Sequence, residues 1–232
     1  MKYIKVLILM FIVFIMVIPS NVFAAEPTGF QTSKISEDKL DSYLNSFSVS
    51  LLTEAPENLG IKSFDVNESG QIAIGSQIGQ ECCLHVYDSN FDFLYGFYFY
   101  CSGTYQIEWN NDYINIYYVR SDIAVTYGCN GEIISIAEID NTTNNNSYWN
   151  ILRSNERRVN NTIFKAKNDK GILNVLKASY SQLVKIDDLG NEIVLYNVSS
   201  FQSAKTIMIF IVASLLVAIV ILIIKKGDKQ SK

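Results

Sequence analysis

The stretch "SDIAVTYGCNGEIISIAEIDN", residues 121–141, indicates the fold class. Two runs of alternating apolar residues, "IAVTYG" and "EIISIAEI", flank a "CNG" cluster whose residues tolerate the backbone geometry of tight turns. Period-two alternation on both sides of such a cluster is typical of a β-hairpin. The stretch therefore predicts two paired antiparallel strands.

The alternating pattern of this hairpin extends over most of the chain. Short runs of alternating apolar and polar residues begin at Ile61 and continue after the polar loop "DNTTNNNS", residues 140–147, which interrupts them. In "FLYGFYFY", residues 93–100, both sets of alternating side chains are largely apolar, so this strand needs cover on both faces. The predicted strand runs are "IKSFDV", "QIAIGSQ", "CLHVYD", "FLYGFYFY", "YQIEW", "YINIYYV", "IAVTYG", "EIISIAEI", "TIFKAKN", "ILNVLKA", "QLVKIDD" and "EIVLYNV".

The runs also repeat. Tyr87 aligns with Tyr127, and Asn90 with Asn130, at a period of about 40 residues, which is typical of a four-stranded propeller blade. In this strand rhythm, over residues 61–199, the chain resembles β-propeller repeat proteins, although no Trp-Asp dipeptide is present. The resemblance implies a binding scaffold and an all-β, propeller-like array of about three four-stranded units. Closed propellers use about four to eight blades, which leaves an open array, a distorted barrel or half of a dimeric ring as alternatives.

An amphipathic helix is predicted ahead of this domain, in "ISEDKLDSYLNSF", residues 35–47. Ser36 is in the N-cap position, and acidic residues occupy the first turn, where the helix dipole favours them. We expect one face of the helix to pack against the domain. That face comprises Leu40, Tyr43, Leu44 and Phe47.

The N-terminal residues 1–24 are typical of a secretory signal peptide. Lys2 and Lys5 precede an apolar run, and the sequence "VFAA" places small or branched residues, Val22 and Ala24, at the two positions that the signal peptidase selects. The mature chain is then expected to begin at Ala25. An uncleaved amphiphilic anchor is the alternative interpretation.

Near the other end, Ile207 to Ile224 form an uncharged apolar run that spans roughly 27 Å as a helix, close to the thickness of a bilayer's hydrocarbon. The tail from Lys225 to Lys232 has four Lys against one Asp, and a basic cluster beside a span stays cytoplasmic. We therefore expect a single-pass protein of the cell membrane with its N-terminal domain outside. The predicted organisation is 1–24 signal peptide, 25–60 N-terminal segment with a short helix, 61–203 extracytoplasmic β-repeat domain, 204–224 transmembrane helix and 225–232 cytoplasmic tail.

The net charge of the region between the two hydrophobic ends disfavours one class of partner. All but one of the 23 acidic residues lie between Glu26 and Ser203, together with only 12 of the 19 Lys and Arg residues. Such an acidic region is poorly suited to nucleic acid, so no nucleic-acid partner is expected. The sequons at Asn67, Asn141, Asn145, Asn160 and Asn197 leave glycosylation undecided, because it depends on the host.

The four cysteines lie in the region predicted to be extracytoplasmic, where disulfides persist. If residues 82–88 and 93–100 form a hairpin, Cys101 is a diagonal neighbour of Cys82 or Cys83. A disulfide between Cys82 and Cys101 is the pairing we predict, although spacing alone does not fix connectivity. A zinc site is disfavoured, because His85 is the only histidine.

Motifs for catalysis and for cofactors are weak. Cys83 and His85 share a strand face, so a nucleophile pair is sterically possible, but an ordinary strand histidine is favoured. The motif "DSNFD", residues 88–92, opens like a calcium loop but lacks the later Gly and Glu, which favours a polar turn. No catalytic residue, cofactor or metal is expected.

Aromatic residues concentrate between Tyr87 and Tyr127, which hold 14 of the 29. Trp109, Tyr113 and Tyr117 could form a platform for a carbohydrate or peptide, with an ordinary aromatic core as the alternative. The sequence thus favours a membrane-anchored, non-catalytic binding or accessory or sensory subunit whose partner is another membrane or surface protein, or a second copy. A carbohydrate- or peptide-binding receptor is the second hypothesis, and a surface hydrolase the third.

Overall fold

A computed structural model describes residues 29–169 and 179–230, and the side chains as far as residue 219. The predicted signal peptide, the predicted strand at 172–178 and the last two residues of the tail lie outside the described residues. The helices are α1 (Glu37–Ser46), α2 (Thr143–Leu152) and α3 (Ser199–Gln230). The strands are β1 (Thr32–Lys34), β2 (Ser50–Leu51), β3 (Ile61–Val66), β4 (Ile72–Ile78), β5 (Glu81–Tyr87), β6 (Phe93–Tyr100), β7 (Tyr105–Asn110), β8 (Tyr113–Tyr118), β9 (Ile123–Tyr127), β10 (Ile133–Ile139), β11 (Glu156–Val159), β12 (Thr162–Lys167), β13 (Gln182–Ile186) and β14 (Glu192–Asn197).

The strands form three antiparallel sheets, which confirms the prediction of a mostly β chain. Sheet 1 has the order β2-β6-β5-β4-β3, sheet 2 the order β1-β10-β9-β8-β7, and sheet 3 the order β11-β12-β13-β14. Each sheet contains four strands that are consecutive along the chain. The N-terminal segment adds a fifth strand to sheets 1 and 2, since β2 pairs with β6 and β1 pairs with β10.

Sheet 1 is covered on both faces, because its strands carry apolar residues at both alternating positions. Ala73 packs in one core cluster with sheet 2, whereas its neighbours Ile72 and Ile74 pack in another with sheet 3. The first cluster is rich in aromatic side chains, including Phe97, Phe99, Tyr105, Tyr118 and Tyr127. Cover on both faces is the arrangement that the apolar pattern of the strands predicts.

Four hairpins use one turn of five residues. In each, the first N–H donates to the fifth carbonyl and the fourth N–H donates to the first carbonyl. The fourth residue has a left-handed backbone, which favours glycine, in all four turns. Gly70, Gly131 and Gly190 occupy it in three of them, and Phe91, with φ of 69°, occupies it in the β5–β6 turn. There the Phe91 ring stacks on Tyr87 at 4.2 Å between centroids.

Helix α1 forms where the cap pattern predicts it, with Ser36 in the N-cap position but without a side-chain hydrogen bond. Fewer residues of the predicted apolar face are buried than expected. Tyr43 and Phe47 reach the core between sheets 1 and 2, whereas Leu40 and Leu44 remain 37% and 40% exposed.

Helix α2 corrects the prediction of a polar loop at 140–147. The hydroxyl of Thr142 accepts a hydrogen bond from the Asn145 N–H at 3.2 Å and caps the helix. Trp149 and Leu152 then anchor it in a third core cluster with Phe30 and Tyr117. This cluster lies on the face of sheet 2 that is turned away from sheet 1.

Helix α3 follows β14 after the single residue Val198. Within it, the 21 residues Ser199–Ile219 are long and apolar enough to cross a membrane. Their most apolar window of 18 residues has a mean hydropathy of 1.9, and no part of that window is buried. The predicted boundary between residues 203 and 204 therefore falls inside one continuous helix. The chain has one candidate membrane span among its described residues.

Candidate functional site

A row of polar side chains crosses sheet 2 on the face turned away from sheet 1. The register pairs Glu108 with Asn115, Asn115 with Thr126, and Thr126 with Ser135, so these four residues lie side by side on four neighbouring strands. Cross-strand partners point to the same face of a sheet. Their sequence neighbours Ile107, Ile114, Ile116 and Val125 point the other way and pack against sheet 1.

The row is hydrogen-bonded in one direction. The Ser135 hydroxyl donates to Thr126 Oγ1 at 2.9 Å, and the Thr126 hydroxyl donates to Asn115 Oδ1 at 2.8 Å. The Asn115 amide then donates to the Tyr117 hydroxyl at 3.0 Å, which donates to Glu108 Oε2 at 2.6 Å. Each donor polarises the next, so the chain is oriented toward the carboxylate of Glu108.

Glu108 accepts a second hydrogen bond, because the Tyr148 hydroxyl of helix α2 donates to its Oε1. Burial raises the pKa of Glu108 above its usual value of 4.5, against the opposing effect of the two tyrosine hydrogen bonds. Burial also raises the pKa values of both tyrosines, so that they remain donors. The inner end of the row is thus a shielded carboxyl group held by two phenols.

A largely buried ion pair between Arg157 and Asp65 lies near Glu108. Arg157 Nε lies 2.9 Å from Asp65 Oδ1, with the two side chains only 14% and 12% exposed. Asp65 Oδ2 also accepts the Trp109 N–H at 2.7 Å, and Arg157 donates to the carbonyl of Leu152, at the end of α2, at 2.9 Å. Burial still raises the pKa of Asp65, with the Trp109 hydrogen bond and Arg157 opposing it. Side chains of sheets 1 and 3 thereby bind the edge of sheet 2 and the end of α2.

The outer part of the row opens into a groove of about 210 Å³. Amide and hydroxyl groups form its floor, and Phe30 and Thr32 of the N-terminal segment form one wall. Such groups donate and accept hydrogen bonds without carrying charge, which suits sugar hydroxyls or peptide main chain. We call this the polar groove. Its lining comprises Gly29, Phe30, Thr32, Asn110, Asn115, Tyr117, Ala124, Thr126, Ser135 and Ala137.

The predicted aromatic platform is not assembled. Tyr113 and Tyr117 lie on the face of the polar groove, but Trp109 pairs with Ile114 and packs with the core on the opposite face. The Tyr117 ring is buried at 2% exposure, whereas Tyr113 is 41% exposed. Trp109 Nε1 is buried without a hydrogen-bond partner among the residues that the structure describes. Of the three, Tyr113 presents an exposed ring.

The predicted cysteine pair lies together in the core. Cys82 is across from Phe99, so Cys101 is its diagonal neighbour, and both thiols are buried without being bonded to each other. A hydrogen bond between them lowers the pKa of Cys101 and raises that of Cys82. Cys83 points to the other face, and Cys129 is exposed in the β9–β10 turn.

His85 lies fully buried between sheets 1 and 3, on the same face as Tyr87. Its Nε2 contacts Ser76 Oγ at 3.1 Å and its Nδ1 contacts the Tyr87 hydroxyl at 3.0 Å. Burial lowers its pKa to about 3, so the ring is neutral. Because both ring nitrogens have partners and the side chain has no exposed surface, a substrate has no access to it in this conformation.

The "DSNFD" motif lies in the β5–β6 turn, where Asp88 Oδ1 accepts the N–H groups of Asn90 and Asp92 at 2.8 and 2.9 Å. This is the geometry of an Asx turn. Among residues 29–169 and 179–230, no group of three or more metal-ligating side chains is present.

Sequence reasoning missed the polar row, and the signal for it was indirect. "QIEWN", "YINIYY" and "IAVTY" each place a polar residue between apolar ones, but the alignment of those polar residues needs the strand register. The contribution of Tyr148 depends on helix α2, whose Asn-rich start predicts a polar loop. Arg157 belongs to β11, whose four residues are too few for a period to show.

Comparisons with known proteins leave the family open. No protein-family model matches the chain, and no curated protein matches it. Among solved structures, a catalytically inactive virginiamycin B lyase from Staphylococcus aureus with quinupristin has a TM-score of 0.29 at 12% identity. A selenomethionine-substituted form of the same lyase has a TM-score of 0.28 at 11% identity. Both matches cover 64% of this chain and 45% of the lyase chain, so this chain spans less than half the length of those proteins.

Proposed function

We propose that the protein is a single-pass subunit of the cell membrane whose extracytoplasmic β domain binds another membrane or surface protein, in a non-catalytic accessory or sensory role. In this arrangement α3 spans the bilayer, residues 1–24 are a cleaved signal peptide, and residues 225–232 are a cytoplasmic tail. The three sheets are blade-like units of an open, propeller-like array. Partner binding, not chemistry, is the activity of the domain.

The observation that carries this proposal is the rigid junction between the domain and α3. The Val198 N–H donates to the Ser181 carbonyl at 2.9 Å, and the Ser199 N–H donates to Asn197 Oδ1 at 3.0 Å. Val198 and Ser199 are buried at 6% and 7% exposure. With no flexible stalk, the domain has a fixed orientation relative to the helix, as a subunit that docks beside a membrane partner requires.

Close packing at Gly60 contributes to the same junction. A Cβ atom at Gly60 would lie 2.2 Å from Ser179 Oγ and 2.4 Å from Gln202 Nε2, which is inside van der Waals contact. Gln202 is in the first turn of α3, so a larger residue at position 60 would displace the side chains of Ser179 and Gln202. The isolated bridge between Ile61 and Tyr180 ties the same region to sheet 1.

The test is chemical crosslinking on intact cells that produce the full-length protein, followed by detergent extraction and mass spectrometry. A stoichiometric membrane partner is expected. A matched variant with a short Gly-Ser insertion between Asn197 and Val198 keeps the domain and the helix but removes their fixed orientation. It should lose the partner while remaining in the membrane. Recovery of the protein alone, from wild type and variant alike, would count against an accessory role.

The cysteine pair offers a test of location. We propose that Cys82 and Cys101 form a disulfide in the mature protein, because an oxidising compartment supports that bond and their thiols are already in contact. Alkylation of the unreduced, denatured protein should then label Cys83 and Cys129 and leave the other two unlabelled. Labelling of all four in protein isolated from cells would argue against an oxidising compartment.

A carbohydrate- or peptide-binding receptor is the second candidate, and the polar groove favours it. Asn115→Ala and Thr126→Val remove amide and hydroxyl groups from the groove floor, whereas Ser69→Ala removes a hydroxyl from a distant exposed turn. Retention on glycan or peptide arrays should fall for the first two variants and stay unchanged for the third. Equal retention by all three would remove the groove from consideration.

A further inference from the structure

A cavity of about 480 Å³ lies at the junction of the β domain and α3. One wall is the loop from Glu57 to Gly60, and the other is the side of α3 from Phe201 to Ile209. Ile78, at the end of β4, completes it and is 61% exposed. We call this cavity the junction pocket.

The α3 wall changes from polar to apolar along the helix. Gln202, Lys205, Thr206 and Ile209 follow the three- and four-residue spacing that places side chains on one helix face. Lys205 precedes the apolar run that begins at Ile207, and Ile209 lies about 6 Å farther along the axis. If α3 spans the membrane, the junction pocket lies at the interface, with one end in hydrocarbon and the other at the domain.

The pocket contains a positive charge, a negative charge and a buried amide oxygen, none of which has a partner among the described residues. Lys205 and Glu57 are exposed, and neither is in an ion pair or a hydrogen bond within the part of the chain that the structure describes. Gln202 Oε1 is buried without a donor there, although its Nε2 donates to Ser179 Oγ at 3.4 Å. A buried acceptor without a donor is costly, which favours a ligand that supplies one.

We propose that the junction pocket binds one phospholipid whose zwitterionic headgroup ends in a primary ammonium group. The phosphate pairs with Lys205 Nζ. The ammonium pairs with the Glu57 carboxylate and donates to Gln202 Oε1, and the first carbons of an acyl chain lie along Ile209. This inference rests on the proposed function in one respect, namely that α3 spans a membrane with the domain outside.

The order of groups in the pocket matches the order in such a lipid. From the bilayer outward, a phospholipid presents acyl chain, phosphate and then the headgroup terminus. Along α3 the pocket presents Ile209, Lys205 and then Gln202, with Glu57 on the opposite wall. An anionic lipid without the ammonium would leave Glu57 unpaired beside a second negative charge. A soluble anion would leave the exposed apolar walls at Ile78, Phe201 and Ile209 in water.

The test uses full-length protein in nanodiscs made of equal parts phosphatidylethanolamine and phosphatidylglycerol with identical acyl chains. Lipid that remains bound after transfer to mild detergent is counted by native mass spectrometry. We expect one phosphatidylethanolamine per chain, retained about tenfold over phosphatidylglycerol, which corresponds to one charge-assisted contact. Glu57→Gln and Lys205→Gln should each lower its retention about tenfold, whereas the matched exposed controls Glu68→Gln and Lys34→Gln should not change it.

Three results would overturn the proposal. Equal retention of the two lipids would exclude recognition of the ammonium, and unchanged retention in both pocket variants would place the lipid elsewhere. Displacement by glycerophosphoethanolamine at the concentration at which the lipid itself competes would show that only a soluble headgroup is bound. Failure of the membrane anchor is distinguished beforehand, because a protein that alkaline carbonate releases from membranes contradicts the proposed function itself.

Discussion

The two faces of sheet 2 use alternating residues of the same strands but differ in what covers them. One face packs Ile107, Ile116 and Val125 against sheet 1 in an apolar, aromatic core. The other face carries Glu108, Asn115 and Thr126, covered in part by α2 and in part open as the polar groove. The comparison indicates that the first face is stabilised mainly by apolar burial, whereas the second combines the apolar cluster around Trp149 with hydrogen bonds and one ion pair and leaves the polar groove open.

The largest expected effect comes from the ion pair at the edge of the polar face. Arg157→Ala leaves the carboxylate of Asp65 buried without its cation, which should lower the free energy of unfolding by about 4 kcal/mol. Denaturant unfolding of the full-length protein in detergent, followed by circular dichroism, measures this loss.

A double variant distinguishes the destabilisation caused by an unpaired buried carboxylate from that caused by the lost contacts of Arg157. Asp65→Asn with Arg157→Met keeps an acceptor for the Trp109 N–H and removes both charges. Its loss of stability should be smaller than that of Arg157→Ala alone. A larger loss would mean that the hydrogen bonds of Arg157 to the end of α2 dominate.

The apolar face should respond nearly as strongly at a single residue. Ile116 is 0% exposed in the aromatic core, and Ile116→Ala should cost about 3 kcal/mol through lost burial and a cavity. The same substitution at Ile151, which is 62% exposed on α2, should change stability by less than about 0.5 kcal/mol. Similar losses at both positions in the same unfolding experiment would contradict the assignment of the core.

Within the polar row, smaller effects are expected. Asn115→Ala removes the link between Thr126 and Tyr117 and should cost about 1 kcal/mol. In a double-mutant cycle with Thr126→Val, the coupling should be of the same order, because the two side chains share a hydrogen bond at 2.8 Å. Strict additivity of the two unfolding free energies would show that the row is not cooperative.

The smallest effect is a change in pH dependence at Glu108. Burial raises the pKa of Glu108 in the folded state, so the folded protein binds that proton more tightly than the unfolded chain does. The stability that this proton contributes is fully present below pH 4.5 and is lost as the pH rises through the raised pKa. Asp65 and Arg157 also act on this carboxyl, in opposite directions. Glu108→Gln should therefore lose less stability than wild type as the pH rises from 4.5 through the raised pKa of Glu108. Parallel stability profiles from thermal unfolding would contradict the raised pKa.

Much of the β structure could be predicted because long strands carry a clear period. The bounds of β3 and β6 coincide with the runs "IKSFDV" and "FLYGFYFY". Strands β1 and β2 have three and two residues, too few to show alternation, and they exist because sheets 2 and 1 offer them an edge. Helix α2 was missed because its Asn-rich first turn has the composition of a loop, while the apolar residues that anchor it come later.

The site was less predictable than the fold for a related reason. Aromatic content suggested a platform, but content does not specify a face, and the register places Trp109 and Tyr113 on opposite sides of sheet 2. The diagonal relation of Cys82 to Cys101 could be inferred, since it depends on one local hairpin. The junction pocket depends on the tertiary placement of α3, for which local sequence holds no signal.

The pairing of β1 with β10 also constrains the order in which the protein can assemble. Thr32 faces Ile139, so about a hundred residues must emerge after β1 before its partner exists. During synthesis, the N-terminal segment therefore emerges early and remains with unpaired backbone and with Phe30 uncovered until β10 is available. In that interval the nascent chain is most accessible to chaperones and proteases. Mutations that weaken the β1–β10 pair should therefore lower yield more than they lower the stability of protein already folded.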